Sequence, residues 1–108
     1  RLRRAGWSLV LAPEAHAEHI GGGSIRAGWD KYWEKFWHMS WSRLYIEEKY
    51  LGRRAMLRVA APALARYAVK TALYALAFNR RKMTRDAARF CGSAAYLLGM
   101  PAMPAVQP

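Results

Sequence analysis

The chain has 108 residues, with 18 Lys and Arg against 7 Asp and Glu, a formal net charge of +11, and a single cysteine. That length makes one domain at most, Cys91 has no partner for an internal disulfide, and no Cys/His set has zinc-finger spacing, so a reducing compartment fits best. Hydrophobic residues at 54% and aromatics at 13% exclude a disordered basic tail, whose low hydrophobicity is what keeps it unfolded.

Arg1-Leu2-Arg3-Arg4-Ala5-Gly6 reads as the last turn of a helix running into a glycine stop, with cations where the dipole favours them. A helix end without its beginning suggests a fragment. The apolar run Trp7 to Ala12, closed by Pro13-Glu14, predicts a buried strand. It is too short for the apolar region of a signal peptide. Ala15 to Ile20 alternates as a second short strand would, and Gly21-Gly22-Gly23-Ser24 predicts a loop whose backbone can approach a ligand closely.

From Trp29 to about Tyr50 there is no Gly or Pro, and Trp29, Trp33, Trp37, Trp41 and Tyr45 recur every four residues. This predicts a helix whose stripe drifts about 40° per repeat. Gly52 ends or bends it. A second helix is predicted from Arg53 to Phe78, with Pro62 as a kink or a restart. On its wheel Arg54, Arg58, Arg66 and Lys70 share one side, and Met56, Leu57, Leu64, Tyr67, Tyr74 and Phe78 the other. Beyond Lys70, Leu73 and Leu76 occupy the formerly charged side, so this end requires cover by protein or lipid. Asn79 to Met83 is predicted as a loop, Thr84 as the N-cap of a third helix through Leu98, and 99–108 as an irregular proline-rich tail. The charge-free stretch from Phe90 onward is broken by Gly92, Gly99, Pro101 and Pro104, which argues against a transmembrane anchor. Cys91, among small residues, reads as a packed structural thiol.

The charge is concentrated. Between Arg53 and Arg89 ten cations face only Asp86, so this stretch carries +9 of the +11 and implies an anionic partner. Cations on one helix face with Met, Leu, Tyr and Phe on the other form the pattern of a helix lying on a membrane; a merely solvated cationic face is the plain alternative. The tryptophan stripe admits three readings: a core-packing helix, an interfacial helix with indoles at headgroup level, and base stacking. The last is disfavoured because Asp30, Glu34, Glu47 and Glu48 interrupt the bases, which argues against nucleic acid. Locally, His19 before the glycine loop suits a metal-bound diphosphate, although a glycine turn beside a surface histidine has the same pattern. His16 reads as a surface residue.

These pieces, in order, resemble a known family. Arg1-Leu2-Arg3-Arg4-Ala5-Gly6-Trp7, Leu9-Val10-Leu11-Ala12-Pro13-Glu14-Ala15, His19 and Gly21-Gly22-Gly23-Ser24 look like the C-terminal end of the catalytic domain of bacterial family 2 glycosyltransferases, which have the GT-A fold. Trp37-His38-Met39-Ser40-Trp41-Ser42-Arg43-Leu44-Tyr45, with Lys49 and Gly52, resembles the helix that follows it, more loosely. The resemblance implies a mostly α chain with a short β remnant: residues 1–27 as the edge of a GT-A α/β domain, and 28–98 as two or three basic amphipathic helices apposed to a membrane.

By the same resemblance His19 is a ligand of a divalent metal, Mg or Mn. Gly22, Gly23 and Ser24 border donor and acceptor, Trp37, His38 and Trp41 form an acceptor wall, and the catalytic base lies upstream of Arg1. The implied function is transfer of a sugar from a nucleotide-sugar to a lipid-linked or polysaccharide acceptor, peripherally, at the cytoplasmic face of the inner membrane. Arg54, Arg58, Arg66, Lys70, Arg80, Arg81 and Lys82 would meet the anionic surface. The alternative is a non-enzymatic basic module that binds a membrane or serves a membrane complex.

Overall fold

The computed structural model describes residues 3–8, 10–16 and 28–103. These are mostly α, as the sequence predicts. A 3-10 turn, Arg3–Ala5, is followed by three helices: α1, Trp29–Leu51; α2, Arg53–Leu76; and α3, Arg80–Leu97.

The drift of the aromatic stripe decides which tryptophans are core. Trp37 sits at its centre and is buried; Trp33 and Trp41, one repeat away and rotated by about 40°, are half-buried; Trp29 and Tyr45, two repeats away, are exposed. The buried line of α1 is therefore Trp37, Ser40 and Leu44. In α2 it is Met56, Ala60 and Tyr67, and α3 packs against both neighbours.

Small residues let α3 approach α1. Ala88, Gly92 and Ala95 lie on one face of α3, and Trp37 packs against Ala88 and Ala95 with Trp33, Phe36 and Trp41 around it. A Cβ built on Gly92 would overlap the Trp37 carbonyl oxygen and lie 2.9 Å from its carbon, so the two backbones touch. A second cluster joins Leu44, Met56 and Ala60 with Val59, Tyr96 and Leu97.

One residue separates α1 from α2. Gly52 (φ 83°, ψ 166°) caps α1 with its N–H on the Glu48 carbonyl, 3.0 Å, and its own carbonyl accepts the first bond of α2 from Met56, 3.1 Å. That conformation is open essentially to glycine alone. Pro62 does not restart α2, which runs unbroken through it. It is exposed, so the Arg58 carbonyl that its missing N–H leaves unpaired is not enclosed by the fold.

Two expectations are corrected. No strand forms among the described residues. Trp7, Val10 and Leu11 are exposed and irregular, since a lone strand with no neighbouring strand leaves its N–H and C=O groups unpaired. The proline turn does form, with Ala15 N–H on the Ala12 carbonyl, 3.1 Å, while Leu9 and 17–20 lie outside the described residues. The third helix starts at Arg80 rather than at Thr84. The Asn79 side chain accepts the Lys82 N–H, 3.1 Å, and that cap overrides the cost of three cations in the first turn.

Candidate membrane-facing site

The α2–α3 corner gathers the groups that matter. α2 ends in a double cap, with Phe78 N–H on the Ala75 carbonyl, 3.1 Å, and Asn79 N–H on the Tyr74 carbonyl, 2.9 Å. This geometry requires a left-handed residue, ordinarily glycine, and here Phe78 takes it with φ 51°. α3 closes the same way, through Gly99 N–H to Tyr96 and Met100 N–H to Ala95, but with Gly99 (φ 72°) in the left-handed place.

The corner brings exposed apolar and exposed cationic side chains together. Phe78 is 95% exposed, Leu76 79%, Val69 59% and Leu73 57%. Lys70, Arg80, Arg81 and Lys82 are exposed around them, as are Arg54, Arg58 and Arg66 further along α2. Aromatic rings hold several of these cations in place: Arg80 lies 5.0 Å from the Trp29 ring centre, Arg81 5.8 Å from Tyr32, Lys82 5.4 Å from Tyr74, and Arg66 5.4 Å from Tyr67. The Tyr32 hydroxyl also donates to the Arg81 carbonyl, 3.3 Å. The start of α1 therefore lies beside the start of α3 and the end of α2.

Behind the corner the charge is internally paired. Asp86 is only 1% exposed and accepts Arg85 through two bonds, 3.1 and 2.9 Å, with Arg89 at 3.8 Å. The bonds to Asp86 push the Arg85 pKa above its ordinary value, so it stays cationic throughout. Arg89 lies 4.9 Å from the Phe36 ring and 5.9 Å from Tyr67, joining α1 to α2. Arg85 and Arg89 are thus structural, whereas Arg80, Arg81 and Lys82 face outward.

A groove of about 500 Å³ opens on the side, lined by Trp41, Tyr45, Glu48, Arg53, Tyr96 and Met100 among others. The Tyr96 hydroxyl donates to Glu48, 2.7 Å, Arg53 reaches the same carboxylate at 3.4 Å, and Trp41 Nε1 donates to the Met100 carbonyl, 3.1 Å. Desolvation and the Glu48 carboxylate push the Tyr96 phenol up to about 12.

The candidate acceptor wall divides. Trp37 is buried between α1 and α3, His38 is half-buried with its ring edge-on to Trp37, and Trp41 lines the groove. His19, Gly22, Gly23 and Ser24, with Arg1, lie outside the described residues. Among the described residues no three His, Cys, Asp or Glu side chains come together. His16 is exposed, as expected. Cys91 is corrected: it is exposed rather than packed, because it lies outside the arc of α3 that Ala88, Gly92 and Ala95 turn toward α1.

Sequence reasoning missed the Asn79 cap, the left-handed Phe78 and the Glu48–Tyr96 pair. Only the first had a signal, an Asn immediately before the basic run. No helix among the described residues is long and apolar enough to cross a membrane. Comparison with protein-family models, curated proteins and solved structures finds no match for this chain.

Proposed function

We propose that the chain is the C-terminal part of a family 2 glycosyltransferase whose helical unit, residues 28–98, holds a catalytic domain against the cytoplasmic face of a bacterial inner membrane. The observation that carries this reading is connectivity. Residue 28 enters α1 at the same end of the unit that bears Trp29, Phe78 and Arg80 to Lys82, so the segment with the glycosyltransferase-like motifs joins at the basic, apolar end.

A domain attached there works at the depth where a lipid-linked acceptor presents its sugar or diphosphate. Transfer needs a carboxylate that takes the proton of the acceptor hydroxyl, and donors that stabilise the departing nucleoside diphosphate. The carboxylate belongs upstream of Arg1. A divalent metal, when bound, neutralises diphosphate charge. This chain contributes the His19 imidazole, the backbone amides of Gly22, Gly23 and Ser24, and the cations that bring the reacting ends to the surface.

In the protein encoded by the whole gene, His19→Ala lowers sugar transfer from a nucleotide-sugar while vesicle binding is unchanged. A reading frame with neither an Asp-x-Asp nor an acidic pair before Arg1 overturns the transferase reading. One observation favours a second reading, a membrane-binding module without catalysis: residues 28–103 supply their own core around Trp37, Leu44, Met56, Tyr67 and Ala88. Vesicle binding by a gene product with no transferase activity is the result that selects it.

A further inference from the structure

The sequence suggests that α2 lies flat on a membrane through its face of Met56, Leu57, Leu64, Tyr67, Tyr74 and Phe78. In the fold that face is largely spent: Met56 and Tyr67 are buried, and Leu64 and Tyr74 half-buried. We propose instead that the α2–α3 corner enters an anionic phospholipid bilayer end-on, with Phe78, Leu76 and Leu73 in the headgroup–acyl boundary and Lys70, Arg80, Arg81 and Lys82 on lipid phosphates. The inference rests on the membrane part of the proposed function and names the contact.

Three observations carry it. Phe78 occupies a left-handed capping position that disfavours any side chain, and it recovers nothing inside the fold, being 95% exposed; the equivalent position after α3 is Gly99. A strained bulky residue with no internal contact points to a contact outside. Val69, Leu73 and Leu76 share one face of α2 and are exposed along it up to this corner.

Charge complementarity then identifies the occupant. Beside these apolar residues stand four exposed cations, and at this end α1 offers only Asp30 in its first turn, while Asp86 is sequestered by Arg85 and Arg89. Exposed apolar side chains flanked by exposed cations match acyl chains flanked by lipid phosphates, and Trp29, 49% exposed beside Arg80, adds an indole suited to the headgroup level.

The test is co-sedimentation of the full chain with vesicles of phosphatidylcholine alone or with one quarter phosphatidylglycerol, at low and high salt, alongside thermal melts. The wild-type chain binds the anionic vesicles, and salt weakens the binding. Phe78→Gly keeps or raises the melting temperature, since glycine suits the left-handed cap, yet weakens binding about tenfold or more. Leu76→Gln weakens it in the same direction, and replacing Arg80, Arg81 and Lys82 together by Gln does so on the order of a hundredfold at low salt. Phe78→Leu restores most of the affinity. If the wild-type chain ignores anionic vesicles, the membrane reading itself fails. If it binds them and Phe78→Gly and Leu76→Gln bind equally well, the corner is wrong and the membrane reading stands.

Discussion

Gly92→Ala opposes two effects of known sign. In an open helix interior, alanine is favoured over glycine by about 1 kcal/mol. At position 92 the new Cβ falls on the Trp37 carbonyl, which belongs to a helix backbone and cannot rotate away. α1 and α3 then part by roughly 1 Å. A gap of that size forfeits a quarter to a half of the dispersion across it, and a buried side chain such as Trp37 makes on the order of 40–60 contacts worth ~0.1–0.2 kcal/mol each. The loss centres near 3 kcal/mol, so the net destabilisation is about 2 kcal/mol, a fall in Tm of roughly 8–16 °C. Circular dichroism melts of the full chain measure it. Ala65→Gly on the exposed side of α2 is the control, expected to lose only the propensity difference of about 1 kcal/mol. A Gly92→Ala chain as stable as wild type, or more so, refutes the close approach of α1 and α3.

Three further outcomes follow from single residues. Gly52→Ala forces an L residue into φ 83°, ψ 166° and costs about 1–3 kcal/mol in denaturant titration, with an unchanged midpoint as the contrary result. Tyr96 has a folded pKa of about 12 against roughly 10 unfolded, so its neutral form is favoured by folding. Its stabilisation is complete below pH ~10 and is lost as pH rises toward ~12. The difference in stability between wild type and Tyr96→Phe should shrink across that window, and a constant difference would count against the Glu48 pairing. Cys91 is exposed, but desolvation pushes its thiol pKa up, so the folded chain reacts fully with a thiol reagent while its rate rises at higher pH than that of the unfolded chain; coincident pH–rate curves contradict this.

Local pattern determined much of this protein. The four-residue aromatic spacing, Gly52 and the run from Arg53 gave the first two helices with nearly correct limits, because helix formation and its glycine stop depend on neighbours within one turn. Where two local signals competed, the reading slipped: Thr84 and Asn79 both suit an N-cap, and the fold uses Asn79 rather than the predicted Thr84. The strand failed for the opposite reason, since a strand is stable only through partners and its own residues do not specify them. The glycosyltransferase-like motif at His19 and Gly22 to Ser24 is legible only as ordered letters. Their chemistry depends on what surrounds them in space.

Tertiary packing alone decided which aromatics are core, which cations are free and which apolar residues are left over. Trp37 and Trp29 are equivalent in the repeat, yet a rotation of about 80° buries one and exposes the other. Arg85 and Arg80 are equally basic in the sequence, but only Arg85 meets a buried carboxylate. The composition, +11 and 54% hydrophobic residues, determined that an ordered core would form and that an excess of cations would be left at its surface. The packing of α3 against α1 and α2 determined that Phe78 and Arg80 to Lys82 stand together at an uncovered corner, because burial consumes one face of each helix and leaves the turn between α2 and α3 outside it.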